Sequence, residues 1–409
     1  MLQIKTQDIH KILAERLKKS ESVEKKVSKI ISDVERNRDV ALRYWTKKLD
    51  GVDIEQFSVS EQEIKSAIKK ITPSDRKVIK HAIERITRYH KKQFVKQFTV
   101  KERGIEISFK TKPIEKAGIY IPGGTFPLVS TVLMTAIPAK VAGVKEIIAC
   151  SPPSYNGSIH PYIIGTLAML EIRKIFKVGG SQAIAAMAYG TESIPKVNFI
   201  AGPGNIYVNC AKKILTGKVG IDLLAGPSEL VALVDESANA DFIATDLNAQ
   251  AEHSNSIVFL LSFDKNTGEQ ISRRVNQGYW MKIDSVEEAI EIINTIAPEH
   301  LQIVCKNPEK ISESVVAGAI FIGNYSPCAI GDYIAGPSHT LPTGSSASFD
   351  SGLNVFDFIR SYAVIKANWQ FFKKNGIIAE RIAEIENLFG HQASIKIRRE
   401  NIDPEKIVK

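Results

Sequence analysis

Long apolar runs are missing from this chain of 409 residues. Its longest apolar stretches, such as 117-AGIYIP-122 and 256-SIVFLL-261, fall far short of the roughly eighteen residues that a membrane-spanning helix needs. A helical membrane protein is thereby excluded, and no membrane partner is expected. Cysteine is scarce: Cys150, Cys210, Cys305 and Cys328 are scattered without CxxC spacing, which rules out the common cysteine zinc sites and a disulfide framework. The start, MLQIKTQDIH, lacks the basic, apolar, then small pattern of a secretory leader. A reducing cytoplasm is therefore the expected compartment. Low-complexity segments and repeats of fixed period are also missing. What remains is 44% apolar, 24% charged and 8% aromatic residues, the composition of a globular chain with ample core rather than of a disordered, collagenous or coiled-coil one. The length is about three common domains, so more than one folding unit is expected.

Charge of one sign is scarce in most of the chain. Residues 1–120 hold 29 Lys+Arg against 17 Asp+Glu, whereas residues 121–409 hold 25 against 28. The formal +9 thus belongs to one end. A nucleic-acid module would bind in a steeply salt-dependent way, but no nucleic-acid motif accompanies the basic segment, and no such partner is expected.

Residues 8–50 and 61–98 read as helical, with apolar positions such as Ile64, Ile68 and Ile71 recurring among lysines. From residue 104 the pattern alternates. Strands are expected at 104–110, 117–121, 146–150, 174–178, 197–201, 229–234, 256–261, 301–305 and 319–323. Helices are expected near 128–143, 181–190, 205–217, 238–252 and 286–297. Strand followed by helix, repeated, implies parallel sheets with helices on their faces, and nine strands imply two α/β units. A helical stretch over about 365–390 and a strand-like tail, 392-QASIKIR-398, complete the reading.

Glycine-rich turns recur at 121-IPGGT-125, 178-VGGSQ-182, 201-AGPGN-205 and 225-AGPSE-229, each with a polar side chain: Thr125, Gln182, Asn205 and Ser228. Such turns let backbone N–H groups approach an anion at a helix start; they also serve as plain helix entries. The strict G-x-G-x-x-G fingerprint is absent, since 202-GPGNIY-207 has only its first two glycines. Any dinucleotide is held in a non-standard way.

Of eight histidines, His10, His81, His90 and His160 stand in ordinary surface-like contexts and read as structurally incidental. The others lie in dense polar motifs: 250-QAEH-253, 298-PEHL-301, 331-GDYIAGPSH-339 and 386-ENLFGH-391. Gln250 and His253 leave the same side of a helix. With Asp332 and His391 they would supply two nitrogens and two oxygens, a set that suits zinc or another divalent metal, although on spacing alone a helix-surface Gln and His is the simpler account of the motif. HExxH is absent. Glu299 and His300, at the turn into a strand, suit proton transfer, or they cap the turn.

Taken together, AGIYIPGG, TVLMTAIPAKVAG, VGGSQAIAAMAYGT, AGPGN, AGPSE, DLNAQAEH, PEHL, GDYIAGPSHTLPT and SGL resemble the histidinol dehydrogenases in order and spacing, from about Lys112 to Arg398. The resemblance implies two oxidations of L-histidinol, through L-histidinal to L-histidine, reducing one NAD in each. It implies one Zn2+ per subunit on Gln250, His253, Asp332 and His391, with His300 as general base and Glu299 activating water. Ser228, His339 and Glu386, with the metal ligands and His300, would contact histidinol; Tyr120, Gln182 and Asn205 would contact NAD. It further implies a homodimer in which the C-terminal segment of one subunit completes the site of the other.

The expected fold class is α/β: two incomplete Rossmann-like parallel-sheet lobes with a helical N-terminal portion and a C-terminal arm. The expected division is an N-terminal helical arm over 1–20, a lobe of 21–119 with 228–350 carrying metal and catalytic residues, an NAD-binding lobe over 120–227, and a C-terminal arm over 351–409. Three features depart from the family pattern: a short bridge between Arg274 and Asp284, expected to trim the periphery, and Ser338 and Ser348 where Asn and Arg are common. An alternative activity is NAD-linked oxidation of another small polyol or amino alcohol on the same scaffold. Glu386 and His391 speak against it, since they serve the amine and imidazole of histidinol. No catalytic cysteine is expected, because nothing near Cys150 or Cys210 suggests an activated thiolate.

Overall fold

The structure, a computed structural model, describes residues 1–15, 21–123, 126–224, 226, 228–252 and 256–400. Strand β1 (Leu2–Gln3) and helix α1 (Asp8–Glu15) precede three helices, α2 (Glu21–Asp50), α3 (Glu61–Lys70) and α4 (Pro73–His90). Strands β2 (Phe98–Glu102) and β3 (Ile105–Pro113) follow. A first alternating segment runs β4 (Lys116–Tyr120), α5 (Val129–Ala142), β5 (Glu146–Ser151), α6 (Pro161–Met169), β6 (Lys174–Lys177), α7 (Gly180–Tyr189), β7 (Phe199–Ala201), α8 (Ile206–Leu215) and β8 (Gly220–Ile221). A second runs β9 (Glu229–Val234), α9 (Ala240–Ala251), β10 (Ile257–Ser262), α10 (Lys265–Arg274), β11 (Tyr279–Lys282), α11 (Val286–Ile296), β12 (His300–Val304), α12 (Pro308–Ser312), β13 (Ala319–Ile322) and α13 (Cys328–Tyr333). The last described elements are β14 (Ile359–Ala367), α14 (Trp369–Ile385) and α15 (Phe389–Glu400).

The chain divides into two compact units, Met1–Gln93 with Ile114–Phe358, and Phe94–Pro113 with the segment from Ile359 on. The first unit holds two wholly parallel sheets, β6-β5-β4-β7-β8 and β1-β11-β10-β9-β12-β13. Setting β1 aside, each sheet has its own strands in the order third, second, first, fourth, fifth. The strand order therefore reverses direction between β4 and β7 in one sheet and between β9 and β12 in the other, and such reversals open a crevice at the sheet edge. Helices cover the sheets, so the central strands read as unbroken apolar runs: every residue of β9, ELVALV, is buried. Both α/β lobes and their parallel sheets are as the sequence leads one to expect.

The N-terminal helices begin at local signals. Ser60 and Glu63 close a capping box at the start of α3, and Thr72 caps α4 ahead of Pro73. Helix α2 changes direction at Arg38, whose backbone is at φ 48, ψ −125, and whose guanidinium donates to the carbonyl of Gly190 at 2.6 Å. The apolar faces of α2, α3 and α4 then lie on the five-stranded sheet: Val27, Val34 and Leu42 share one core with Ile148, Ile184 and Ile200, and Ile64, Ile79 and Ile86 share another with Ile119, Ile137 and Ile175. The sequence reading grouped 21–119 with 228–350; the side chains of these helices instead meet the strands of 116–221, because the apolar stripe of a helix does not encode which sheet receives it.

The short bridge after Arg274 contains β11, which pairs with β10 and with β1, so it belongs to the six-stranded sheet. In the second unit, β14, β3 and β2 form an antiparallel sheet, and β14 pairs with β3 along nine residues from Ile359 to Ala367. Two local expectations are corrected here. The stretch read as helix from 365 begins as strand β14, and the strand-like tail 392–398 lies within α15. Alternation over a few residues carries little weight beside the contact of α15 with α14, where Arg399 Nε meets Glu380 Oε2 at 3.0 Å. No helix among the described residues is long and apolar enough to cross a membrane.

Candidate active site

Two carboxylates meet at the amino ends of β9 and β12, the strands that flank the reversal in the six-stranded sheet. Glu229 opens β9 and Glu299 immediately precedes β12, with His300 in register with Leu230. The pairing is reciprocal: the Glu229 N–H donates to Glu299 Oε2 at 3.1 Å, and the Glu299 N–H donates to Glu229 Oε2 at 3.2 Å. Glu229 Oε1 also accepts from the N–H of Gly344 at 3.1 Å. Burial pushes the Glu299 carboxyl up to about 8; hydrogen bonds from the Glu229 N–H and the Ser228 hydroxyl work against that, while the Glu229 and Asp332 charges add to it. Ser228 thus reaches the same carboxyl. At neutral pH Glu299 carries its proton.

His300 lies between carboxylates. Its Nδ1 is 3.6 Å from Glu299 Oε2 and its Nε2 is 3.9 Å from Asp332 Oδ1. Both distances are too long for hydrogen bonds. The ring leans on Phe321 with centroids 5.9 Å apart. Asp332, on α13, has its carboxyl pushed up to about 6 by burial. Gly331 lets α13 come close, since a Cβ there would stand 2.7 Å from the Phe321 ring. Cys328 at the start of α13 has its thiol held well above the usual range by burial and by the nearby Asp246, Asp332 and Glu299. It is a neutral neighbour and not a nucleophile. Burial likewise raises the Cys150 thiol.

Asn239 caps α9, whose last turn carries the buried Gln250. Asp246, one turn earlier, accepts from Gln302 Nε2 at 2.8 Å. His253 lies outside the described residues, as does Thr125 of the first glycine turn. Among the described residues no group of three or more His, Cys, Asp or Glu side chains could hold a metal. Of the four expected ligands, Gln250 and Asp332 belong to the first unit, while His391, exposed on α15, belongs to the second. Glu386, the exposed C-cap of α14, is also in the second unit. An amide oxygen, a carboxylate and two imidazoles are chemically a fit for a divalent ion.

His339 Nε2 sits 3.5 Å from the Thr131 hydroxyl on α5. Beside it, the buried Ser338 hydroxyl donates to the Met134 carbonyl at 3.1 Å and accepts from the Thr340 N–H at 3.2 Å, so the loop bearing His339 is strapped to α5. Ser348 lies in an exposed turn and donates to the Ser345 carbonyl at 2.7 Å.

The three expected cofactor contacts come together elsewhere, at the carboxyl ends of the five-stranded sheet. Tyr120, Gln182 and Asn205 all line a cleft of about 560 Å3. The Tyr120 hydroxyl accepts from the Gly180 N–H at 3.0 Å, and burial raises its pKa. Asn205 caps α8, accepting from the N–H groups of Tyr207 and Val208. Its turn is pinned from below: the buried Lys212 ammonium meets Asp222 Oδ1 at 2.6 Å and donates to the Gly202 carbonyl, and Asp222 Oδ2 accepts from the Gly202 N–H at 2.7 Å. Gln182 is fully buried; its Nε2 donates to Asp50 Oδ2 at 3.4 Å, and its Oε1 has no hydrogen-bond partner among the described residues. An orphaned acceptor in a cleft rimmed by lysines suits a ligand with hydroxyl donors and phosphates, which fits NAD.

Sequence reasoning missed Glu229, Phe321 and Asp50. Glu229 stands next to Ser228 inside a quoted motif, a signal that was available; Asp50 ends an amphipathic helix with nothing local to mark it. Of the four histidines read as surface-like and incidental, His90 is instead buried, because it ends the apolar side of α4, with Nδ1 2.7 Å from Gln93 Oε1, and His160 caps α6 by accepting from the Tyr162 N–H. Both are structural.

The family model for histidinol dehydrogenase matches residues 13–399. Histidinol dehydrogenase of Methanocaldococcus jannaschii is 42% identical over 392 residues, 91% of each chain. That of Bacillus subtilis is 40% identical over 405 residues, 94% of this chain and 95% of the relative. A crystal structure of histidinol dehydrogenase from Elizabethkingia anophelis is similar with a TM-score of 0.92 and 35% identity, covering 98% of this chain and 97% of that one.

Proposed function

Since the chain belongs to the histidinol dehydrogenase family, oxidoreductases of histidine biosynthesis, we propose that it oxidises L-histidinol in two NAD-linked steps, through L-histidinal to L-histidine. The observation that carries this reading is His300, an imidazole held between the carboxyls of Glu299 and Asp332. In the first step His300 takes the proton of the substrate hydroxyl, and the Asp332 carboxylate stabilises the imidazolium that results. In the second, Glu299 takes a proton from the water that adds to the aldehyde carbon. With its carboxyl pushed up to about 8, that role strengthens as pH rises. Ser228, His339 and Glu386 orient the substrate. NAD supplies the oxidising power, one two-electron reduction per step, from the cleft that holds Tyr120, Gln182 and Asn205. Gln250, His253, Asp332 and His391 would hold a divalent ion such as Zn2+, one per subunit, which when bound would supply a Lewis-acid anchor for the imidazole and amine of histidinol.

The subunits act as a homodimer with Glu386 and His391 completing the partner's site. Support comes from α14, where Ile378, Ile382 and Ile385 are each more than half exposed on one side of the helix.

Purified protein given NAD and L-histidinol should form two NADH per substrate, lose activity with a chelator and recover it with zinc. His300→Ala should lower turnover by about 10²–10⁴-fold. Turnover of another amino alcohol but not of histidinol would overturn the substrate assignment, and unchanged turnover in the variant would overturn the role of His300.

A further inference from the structure

Helix α2 brings an acid to the cleft that the glycine turns do not supply. Asp50, its last residue, lines the cleft with Tyr120, Gly180 and Gln182, and is only partly exposed. Among the described residues, the Gln182 amide that reaches it at 3.4 Å leaves most of its lone pairs unmet, and the neighbouring Gln182 Oε1 is buried without a partner. Two acceptors side by side call for a ligand that presents two donors. Vicinal hydroxyls on a ribose do so; a phosphate ester at one of them does not.

None of Ser228, Glu299, His300 or His339 lines this cleft, so the part of the cofactor held here is remote from the reacting carbon. That part is the adenosine half. We propose that Asp50 binds the 2′- and 3′-hydroxyls of the adenosine ribose and makes the site select NAD over its 2′-phosphorylated analogue NADP. The inference rests on the NAD-linked reading given above. In the standard dinucleotide fold the acid lies beyond the glycine turn of the same βαβ unit; here it arrives from a helix that precedes the sheet by more than sixty residues in sequence, in keeping with the missing G-x-G-x-x-G pattern.

Opposing charge is present and decides less. Lys26, Lys29 and Lys48 rim the same cleft and would attract any phosphate. All three are exposed, so solvent and salt screen them. Burial lifts the Asp50 carboxyl only to about 6, leaving it mostly charged at neutral pH, and a less solvated anion beside a 2′-phosphate repels it with less screening. The lysines suit the pyrophosphate, which NAD and NADP share.

Equilibrium titration of the intact protein with NADH and with NADPH, read by nucleotide fluorescence without substrate, tests the assignment. The unaltered chain should bind NADH more tightly. Asp50→Asn should weaken NADH and strengthen NADPH so that their affinity ratio falls about tenfold. Asp50→Ser should shift it the same way, and unchanged circular dichroism and melting would show that both variants are folded. An unchanged ratio in whichever variant folds overturns the role of Asp50. Tight, equal binding of both nucleotides to the unaltered chain also overturns it, but leaves the cleft as the cofactor site. Failure of the unaltered chain to bind either nucleotide overturns the cofactor reading and, with it, this inference.

Discussion

Glu299 shows how burial can set the working range of one carboxyl. It is 8% exposed, sits beside Glu229 and Asp332, and is held up to about 8 against an ordinary 4.5. Between those two values the folded chain keeps a proton that the unfolded chain has released. Stability therefore falls as pH rises through that window and levels off above it. In the metal-stripped protein, the urea midpoint of Glu299→Gln should vary less between about pH 5 and about pH 9 than that of the unaltered chain. Equal slopes would show that the carboxyl titrates in its ordinary range. The same desolvation accounts for the inert cysteines: Cys150 and Cys328 are buried with their thiols raised, so neither supplies a thiolate near neutral pH.

Among the elements, the turn from β7 into α8 has the most exacting construction. Gly202 stands at φ +127, and a Cβ there would lie 2.1 Å from the Tyr120 carbonyl oxygen, so only glycine fits. The buried Lys212–Asp222 pair then holds both the N–H and the carbonyl of this residue. Lys212→Met leaves the Asp222 carboxylate buried and unpaired, at a cost of about 3–5 kcal/mol. Denaturant unfolding should show that loss, and NADH affinity should fall with it as the Asn205 turn loosens. A change below about 0.5 kcal/mol would mean that water replaces the ammonium. At the other end of the chain, α15 shows where local pattern misleads: Ile395 and Ile397 alternate with polar residues as in a strand, yet the segment is helical beside α14.

At the scale of the whole molecule, 16 of the 29 Lys and Arg of the first 120 residues lie on α2, α3 and α4, helices that give their apolar sides to the five-stranded sheet. That charge is on the solvated side of a covering layer, except where α2 lends lysines to the rim of the cleft lined by Tyr120, Gln182 and Asn205. The exposed isoleucines of α14 bear on assembly. If the homodimer forms through them, Ile382→Glu, at a position 53% exposed in the single chain, should shift the protein to monomer in sedimentation. Histidinol turnover should fall with it, since Glu386 and His391 lie in the same C-terminal segment. A fully active monomer would remove the requirement for a shared site.

Local chemistry made much of this protein legible in its sequence. Apolar runs bounded by glycine turns located β4–β7, β9, β10, β12 and β13, and the helical period located the helices between most of them, because both signals act within a few residues. Of the expected cofactor contacts, Gln182 and Asn205 stood out as polar residues on glycine turns and Tyr120 entered only through the family resemblance, while Glu299 and His300 stood out as a pair. Only the tertiary structure decided that those three line one cleft, and that Asp50 joins them from α2. It also placed the carboxylate pair at the amino ends of β9 and β12, away from the carboxyl-end turns on which the sequence argument rested. The physical reason is range. Backbone propensity and side-chain period are properties of neighbours along the chain, whereas the sheet on which a helix packs is settled by burial between residues far apart in sequence, and no short window of sequence contains that information.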